Sequence, residues 1–240
     1  MWNNEKIKDY WQERANKNDN PCHYFNKWQD RYAEKVRLSA FKKQDFARAQ
    51  KIVDIGCGVG DYTVKFSNLT DGRIVGFDFP FNIEIARRKY PAHPRITFRT
   101  GSIPHDDIAN EIKDADMVIL TTVYNHLTDD ARNALVEYCA AMKPGVAVYM
   151  LEYFPESVPE FQKGLGYKEI ETWQQAVGRF DRGGLKLTEM RHVNYIDSFL
   201  FHHLGPHLLS YLLTLSGEWL CRRLRVKKSK YKLLIFSKGV

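Results

Sequence analysis

The stretch Lys51-Ile-Val-Asp-Ile-Gly-Cys-Gly-Val-Gly60 joins a short apolar run to three glycines that are spaced one residue apart. An apolar run of this length predicts a buried β-strand. The glycines predict a tight turn after the strand, because a residue without a Cβ tolerates positive φ and lets a ligand approach the backbone closely. The N–H groups at the start of the following helix are then available to that ligand. The stretch therefore predicts a turn that binds a nucleotide-like ligand, which favours an enzyme.

The spacing of the glycines narrows the class of ligand. Turns that bind nicotinamide dinucleotides carry their glycines in the order G-x-G-x-x-G, with the pyrophosphate at the helix N-terminus. Here the order is Gly56-x-Gly58-x-Gly60, and Asp54 precedes the first glycine by two residues. A carboxylate at that place repels a pyrophosphate but attracts an ammonium group. The turn thus indicates an amino acid that is joined to a nucleoside.

Strand-like and helix-like segments alternate after this turn. Further strands are predicted at 73–78, 95–99, 115–121, 146–151, 185–196 and 231–237, with helices at 81–89 and 129–142. Nearly continuous apolar strands that alternate with helices are typical of an α/β fold, in which helices cover both faces of a parallel sheet. Right-handed crossovers place the carboxyl ends of the parallel strands at one edge. The ligand is expected at that edge.

A second acidic residue fits the same ligand. Asp78 ends the second predicted strand, about 20 residues beyond the first one, where α/β folds that bind nucleosides place a carboxylate for the ribose hydroxyls. A carboxylate suits this task because it has two oxygens that can each accept a hydrogen bond. Asp78 is therefore predicted to bind a ribose.

Together these features resemble motif I and the following acid of the class I S-adenosylmethionine-dependent methyltransferases, over about residues 52–151. The resemblance implies a doubly wound, mostly parallel seven-stranded sheet with helices on both faces and an antiparallel last strand. It also implies S-adenosyl-L-methionine as the cofactor and S-adenosyl-L-homocysteine as the product. In this family the glycine turn wraps the methionine part of the cofactor. The residues expected to bind that part are Asp54, Gly56, Gly58 and Gly60.

The same resemblance assigns the rest of the cofactor site. Asp78 is expected to bind the ribose hydroxyls, and Phe79 is expected to lie against the adenine. Ser102 and Ile103 fall where many members carry G-D-x, with the acid bonding the adenine amino group. Since Ser102 replaces that acid, the adenine contact is expected to be weaker or to be made by the backbone. Thr121 begins the loop after the fourth strand, which in this family lines the site of methyl transfer.

The acceptor side of the site is predicted from chemistry and position. Methyl transfer from a sulfonium mainly requires alignment of the nucleophile, the carbon and the sulfur. An alcohol acceptor must also lose a proton, and a neutral imidazole suits that task near neutral pH. His126 follows the fourth strand and is the candidate base; the alternative is a helix-start histidine that bonds the backbone. Tyr124 is expected to shape the acceptor pocket, and Glu152 and His192 are further substrate candidates at the ends of the fifth and sixth strands.

Several kinds of site disagree with the sequence. Family members that methylate amino groups of nucleic acids or glutamine carry an N-P-P-Y-like motif after the fourth strand, where this chain has Thr122-Val-Tyr-Asn-His126. Catechol-type members hold a metal with aspartates after the fourth and fifth strands, and no such pair occurs at 121–125, so no metal is expected. The cysteines form no C-x-x-C pair, which argues against a zinc ribbon or a disulfide framework: Cys22, Cys57, Cys139 and Cys221. Three histidines lack the companions that a metal site requires: His202, His203 and His207.

The chain of 240 residues is expected to hold one main domain with additions. Residues 1–50 predict a helical cap or lid, and 51–240 predict the cofactor-binding domain, with substrate-covering insertions at about 153–184 and 198–230. The N-terminal sequence lacks the apolar stretch of a secretory signal, and the cysteine pattern suits a reducing compartment, so a cytoplasmic location is expected. The net charge of +7 favours acidic or phosphorylated partners or an anionic surface, without deciding among them.

A long apolar segment lies near the C-terminal end, at 199–221. Its histidines, Pro206 and Glu218 argue against a membrane span. Seven basic residues follow it: Arg222, Arg223, Arg225, Lys227, Lys228, Lys230 and Lys232. Such a segment can rest peripherally on an anionic membrane, at its inner face, or hold a phosphate-bearing acceptor. The alternative is an amphipathic helix that packs on the sheet and ends in a solvated basic tail.

The sequence therefore predicts metal-independent O-methylation of a small-molecule or glycan acceptor, including phosphorylated and lipid-linked ones. Methylation of a nitrogen or a carboxyl group of a small metabolite stays open. So does methylation of RNA, for which the basic tail and the aromatic N-terminal region would form the binding face. A protein that binds S-adenosylmethionine without catalysis is the remaining alternative. Nucleic acid is the less favoured partner, and the sequence makes no prediction of the oligomeric state.

Overall fold

The computed structural model describes residues 4–17, 27–154, 170–193, 208–224, 226, 229 and 231–239. The strands are β1 (Lys51–Ile55), β2 (Arg73–Asp78), β3 (Ile96–Thr100), β4 (Met117–Thr121), β5 (Ala147–Tyr153), β6 (Leu185–Val193) and β7 (Tyr231–Lys238). The helices are α1 (Asn4–Lys17), α2 (Lys27–Leu38), α3 (Lys43–Phe46), α4 (Asp61–Ser67), α5 (Pro80–Lys89), α6 (Asp106–Lys113), α7 (Asp129–Ala140), α8 (Trp173–Arg182) and α9 (Leu208–Arg223). A short 3-10 turn covers Tyr124–His126, between β4 and α7.

The seven strands form one sheet in the order β3-β2-β1-β4-β5-β7-β6. Strands β1 to β5 pair in parallel, and β7 lies between β5 and β6, antiparallel to both. Tyr231 at the start of β7 is therefore the register partner of Tyr153 at the end of β5. This sheet confirms the predicted doubly wound, mostly parallel fold with an antiparallel last strand.

The sheet is covered on both faces, which explains its continuous apolar strands. Successive side chains of a strand point to opposite faces, and neighbouring residues of β1 accordingly belong to different cores. Ile52 packs in the core with residues of α2 to α5, whereas Val53 packs in the core with residues of α6 to α8. Since both faces of β1 are buried, every position of that strand is buried. Because helices cover both faces, the edge where the parallel strands end is the place left for the predicted ligand site.

The region between β5 and β6 includes a helix in addition to the predicted elements. Its described part contains α8, which begins after a capping box at Thr172 and Gln175. Ala176 and Phe180 of this helix are buried in the core with α6 and α7. Residues 155–169 lie outside the described part, so the substrate-covering role of 153–184 stays a prediction. The sixth strand was predicted to reach residue 196, and its described part ends at Val193.

Three described helices precede β1. Tyr32, Val36 and Phe46, of α2 and α3, are buried against the sheet. Their role as a cap over the site stays a prediction. Among the helices that the structure describes, none has the length and apolar character needed to cross a bilayer.

Candidate active site

The glycine turn after β1 has the geometry that its sequence predicts. Gly56, Gly58 and Gly60 have φ values of 68°, 56° and 85°, which side chains with a Cβ adopt at a cost. Space is also restricted, because a Cβ on Gly60 would lie 2.6 Å from Cζ of Phe98 and one on Gly56 would overlap the side chain of Val123. The turn is therefore a tightly packed backbone surface that only glycine can form.

Asp78 at the end of β2 is tied to this turn. Its Oδ2 accepts the N–H of Gly58 at 2.7 Å, and its Oδ1 accepts the N–H of Phe79 and the side-chain amide of Asn82, each at 2.7 Å. Burial raises the pKa of Asp78, and these three hydrogen bonds oppose the rise. Oδ2 can accept a second donor, since a carboxylate oxygen has two lone pairs. The turn and the carboxylate thus form one cradle.

Asp54 lies within β1, one residue before its end. Its side chain is buried, and its Oδ2 accepts a hydrogen bond of 2.6 Å from the hydroxyl of Thr63 in α4. Burial raises the pKa of Asp54 to about 7, the charge of Asp78 adds to the rise, and the Thr63 hydrogen bond opposes it. A carboxyl with this pKa changes its charge near neutral pH, so a nearby cation would favour its ionised form.

The other predicted cofactor residues lie in different environments. Phe79 stacks on Phe81 at the start of α5, with ring centroids 5.7 Å apart. Ser102 is exposed, whereas Ile103 is buried in the core with α6 to α8. Thr121 is buried at the end of β4. The structure therefore brings Phe79 and Thr121 to the carboxyl edge, and it places the Ile103 side chain in the core.

Buried polar atoms without a hydrogen-bond partner point to the same edge. The described residues contain four of them: Arg37 Nε, Asn82 Oδ1, Thr121 Oγ1 and Asn125 Oδ1. Asn82 contacts Asp78, Thr121 ends β4, Asn125 follows β4, and Arg37 contacts Tyr231 where β7 begins. Buried polar groups are nearly always paired in native proteins. The glycine cradle and these atoms therefore fit a polar nucleoside ligand such as S-adenosylmethionine.

His126 lies in the 3-10 turn after β4. Its imidazole contacts the indole of Trp11 in α1 edge-on, with ring centroids 5.3 Å apart. Burial and, to a lesser degree, the charge of Arg132 lower the pKa of His126 to about 4. The imidazole is therefore neutral at neutral pH, as a proton acceptor must be, but it is a weak base.

Glu152 connects the end of β5 to the turn that carries His126. The side chain is 3% exposed; its Oε2 accepts the N–H of Asn125 at 3.2 Å, and its Oε1 accepts the N–H of Tyr153 at 2.8 Å. Burial raises the pKa of Glu152 to about 7, while these backbone hydrogen bonds and the charge of Arg37 oppose the rise. Glu152 is thus a second group that titrates near neutral pH at this edge.

His192 reaches the same edge from β6. Lys232 of β7 is the register partner of both Glu152 and His192. The Nδ1 atom of His192 lies 2.9 Å from the hydroxyl oxygen of Ser229. The two predicted substrate residues Glu152 and His192 are therefore separated by the width of one strand.

Tyr124 is placed differently from its prediction. Its side chain is fully buried and packs near Phe180 of α8, with ring centroids 6.1 Å apart. Its hydroxyl donates a hydrogen bond to Glu171, which also pairs with Arg179. These contacts belong to the core with α6 to α8. The position of Tyr124 therefore gives no support to a role in an acceptor pocket.

Arg37 lies at this edge but was not predicted there from the sequence. The Arg37 guanidinium donates a hydrogen bond of 2.7 Å to the Tyr231 hydroxyl and lies 4.4 Å from the centre of that ring. No sequence signal distinguishes Arg37 from other basic residues of α2, because only the packing of α2 brings it to β7. Asn82, also not predicted, did have a signal, since it follows Asp78 by four residues and lies in the first turn of the helix that Pro80 begins.

Thr122 is a third residue at this edge that was not singled out from the sequence. It follows β4 and has a φ of 55°, a conformation that is unusual and costly for a β-branched residue. Its N–H donates to the carbonyl of Leu151 at 2.7 Å. Strained backbone often occurs at functional sites. The turn between β4 and α7 is thus held in a specific shape beside the glycine turn.

No metal centre is apparent in the described part of the chain. There, no group of three or more His, Cys, Asp and Glu residues is arranged to hold a metal ion. His202 and His203 lie outside the described residues, as does His207. A metal-independent site therefore stays a prediction.

Part of the chain, from β1 to just before β5, matches a known family of domains. Residues 52–145 match the family described as "Methyltransferase domain". A curated relative, the demethylmenaquinone methyltransferase of Chlorobaculum tepidum, is 28% identical over 131 residues, which are 53% of this chain and 49% of the relative. The chain thus spans about half the length of the curated relatives it matches.

Solved structures share the fold over nearly the whole chain. A chain from the complex between the Haloferax volcanii Trm112 methyltransferase activator and a putative methyltransferase is 18% identical, with a TM-score of 0.66, over 97% of this chain and 98% of that one. The N-methyltransferase NodS of Bradyrhizobium japonicum, solved with S-adenosylhomocysteine, is 14% identical, with a TM-score of 0.60, over 96% and 99%. The matched domain covers the glycine turn and strands β1 to β4, so these residues form a methyltransferase domain, and the chain has the fold of the class I S-adenosylmethionine-dependent methyltransferases.

Proposed function

We propose that this chain transfers a methyl group from S-adenosyl-L-methionine to an oxygen atom of a small-molecule or glycan acceptor, without a metal ion and in the cytoplasm. The bound cofactor supplies an electrophilic methyl group on a sulfonium. The observation that carries the proposal is the cradle in which Asp78 accepts the N–H of Gly58 at 2.7 Å. It couples the ribose-binding carboxylate to the turn that surrounds the methionine part. Both halves of the cofactor are then held by one rigid unit.

On the acceptor side, His126 is proposed to accept the proton of the hydroxyl group. Its pKa of about 4 keeps the imidazole neutral at every pH above about 5. Because it is a weak base, proton transfer would have to accompany methyl transfer rather than precede it. Glu152 accepts the N–H of Asn125 and thereby positions the turn that carries His126.

One observation supports a small-molecule acceptor, and a second one supports an anionic group on it. The curated relatives include demethylmenaquinone methyltransferases, whose name specifies a small-molecule acceptor. The guanidinium of Arg37 lies beside Tyr231 at the start of β7, and its Nε is a buried donor without a hydrogen-bond partner. A partly buried guanidinium with an unpaired N–H suits a phosphate or a carboxylate. We therefore include phosphorylated and lipid-linked molecules in the acceptor class.

Cofactor binding is tested by the rise in melting temperature with S-adenosylhomocysteine. At a ligand concentration a hundred times the Kd, the native protein should gain about 5–10 °C. Asp78→Ala should abolish this rise, while Asp71→Ala should retain it, because Asp71 is an exposed aspartate in the loop before β2. For each variant, the melting temperature with ligand is compared with that of the same variant without ligand. This is necessary because Asp78→Ala leaves three hydrogen-bond donors unpaired and so lowers the melting temperature by itself. If neither S-adenosylhomocysteine nor S-adenosylmethionine raises the melting temperature of the native protein, the proposal is wrong.

The acceptor atom is tested separately with radiolabelled S-adenosylmethionine. Panels of hydroxyl, amine and carboxylate compounds and of RNA are compared, and an alkali-stable methyl ether is the expected product. His126→Gln should lower kcat by a factor of about 100 or more without changing the affinity for S-adenosylhomocysteine. His105→Gln is the matched control, because His105 is exposed at the start of α6. Labelling of amines or RNA alone would overturn the assignment to oxygen.

A further inference from the structure

Helix α9 turns polar residues inward, beside Tyr211 and Leu215, which pack against the core, and its outward face is apolar. Its buried residues are Ser210, Thr214 and Glu218, which are 0%, 0% and 3% exposed. Its outer face carries leucines that are 43% to 57% exposed and Trp219, which is 61% exposed: Leu208, Leu209, Leu212, Leu213 and Leu220. Leu224 after the helix is 68% exposed. Helices on the surface of soluble domains normally show the opposite arrangement.

The orientation of α9 is fixed by contacts of its inner face. The hydroxyl of Tyr32 in α2 donates a hydrogen bond of 3.1 Å to Oε2 of Glu218. Arg222 donates to Oε1 of Glu218 at 3.4 Å and to the carbonyl of Val36 at 3.2 Å. These contacts pair polar groups that lie between α9 and α2. Rotating the helix to bury its leucines would break these pairs and leave buried polar groups without partners. The apolar face is therefore held outward.

This face is the main apolar surface of the described chain. Every aliphatic or aromatic side chain classed as exposed among the described residues, other than alanine and proline, lies between residues 208 and 224. Single exposed leucines are common on soluble proteins, but a contiguous patch of this kind marks a site of interaction. The α9 face is thus the surface that most requires a partner.

The charges beside the face indicate what the partner is. The guanidinium of Arg223 lies 5.6 Å from the ring centre of Trp219, and the sequence continues with Arg225, Lys227, Lys228 and Lys230. Apolar side chains with a tryptophan and a cluster of basic residues are typical of helices that lie in the surface of an anionic bilayer. We propose that the outer face of α9 docks this protein on an anionic lipid membrane, with its leucines and Trp219 among the acyl chains and the basic residues at the headgroups.

Length and charge argue against other arrangements. With 16 residues, α9 is roughly 24 Å long, shorter than the hydrocarbon core of a bilayer, so it lies on the membrane rather than across it. A second copy of the chain would add another basic cluster and not the anionic groups that would neutralise the first one. RNA would pair with the basic residues but not with a face of leucines, which offer no stacking surface. An anionic bilayer complements both parts of the surface.

Co-sedimentation with lipid vesicles tests the proposal. The native protein should bind vesicles of phosphatidylcholine with phosphatidylglycerol, and bind vesicles of phosphatidylcholine alone much more weakly. The triple variant Leu209→Gln, Leu213→Gln, Leu220→Gln should lose at least tenfold in affinity. Its melting temperature and its response to S-adenosylhomocysteine should stay native, because all three side chains are half-exposed. Quenching of Trp219 by brominated lipids, absent in Trp219→Phe, should locate the inserted residue.

The charge contribution has a matched control. Arg223→Gln, Lys227→Gln, Lys228→Gln should weaken binding to anionic vesicles on the order of a hundredfold. Arg88→Gln, Lys113→Gln, Lys143→Gln removes the same number of charges from exposed sites elsewhere and should keep most of the affinity. The proposal is overturned if native protein stays in solution with anionic vesicles, or if the leucine variant binds as the native protein does. A dimer that the leucine variant converts to a monomer, or binding of RNA in place of vesicles, would overturn it as well.

Discussion

The indole of Trp11 lies edge-on against the imidazole of His126, with the two rings inclined by 76° and their centroids 5.3 Å apart. Trp11 belongs to α1, whereas His126 follows β4 at the carboxyl edge of the sheet. Burial is the larger of the two causes that lower the pKa of His126. The N-terminal helix therefore contributes to the environment of the candidate base.

Trp11→Ala should raise the pKa of His126 from about 4 towards its ordinary value of 6.5. Removing the indole admits water to the imidazole, and water stabilises the charged form. The pKa can be followed by NMR titration of the imidazole, with His126→Gln used to assign the signal. Trp219→Ala is the control, since it removes a tryptophan from the exposed face of α9. An unchanged pKa in Trp11→Ala would show that α1 does not shield His126.

The strands and the glycine turn beside Asp78 could be predicted from the sequence because their physical requirements are local. A strand buried on both faces needs a continuous apolar run, as β1 and β4 have. A turn with positive φ at alternate positions needs glycine, and the carboxylate at Asp78 ends the next strand. Each requirement is fulfilled by residues next to one another in the chain, so the pattern appears in the sequence.

Other features could not be predicted because they depend on contacts between distant segments. A residue that follows a strand can turn to either side of the sheet, and Tyr124 turns into the core because Phe180 and Glu171 of the α8 region receive it. Likewise, the apolar character of α9 is visible in the sequence, but its outward orientation follows from the pairing of Glu218 with Tyr32. The partners in each contact lie far apart in the sequence, at a spacing that no sequence motif fixes.

Gly56→Ala should destabilise the protein more than Gly145→Ala does. Both glycines have positive φ, 68° and 81°, so each substitution should cost about 1–2 kcal/mol of backbone strain. A Cβ on Gly145 has no heavy atom within 4 Å, whereas one on Gly56 overlaps the Val123 side chain. The overlap should add about 1–3 kcal/mol to the loss. Urea denaturation measures the free energies of unfolding.

Val123→Ala provides the matching test of cause. If the overlap is responsible, combining it with Gly56→Ala should recover part of the additional loss, beyond what the two single variants predict when added. Affinity for S-adenosylhomocysteine should fall in Gly56→Ala and stay native in Gly145→Ala. Equal losses of stability in the two glycine variants would contradict a role for the contact between Gly56 and Val123.

Asp54 should make cofactor affinity depend on pH. Its pKa of about 7 means that the carboxyl is largely protonated at pH 6 and ionised at pH 8 when no ligand is bound. The ammonium group of S-adenosylhomocysteine favours the ionised form, so binding should release a proton below pH 7 and affinity should rise with pH. One such group gives about a tenfold decrease in Kd between pH 6 and pH 8. Calorimetry in buffers of different ionisation enthalpy measures both the Kd and the proton release.

The variant Asp54→Asn should bind S-adenosylhomocysteine more weakly, and its Kd should not change in this way with pH. Glu152→Gln should keep the pH dependence, because Glu152 titrates in the same range but lies at the end of β5. A slope that persists in Asp54→Asn, or an affinity that falls as the pH rises, would assign the ammonium contact to another group.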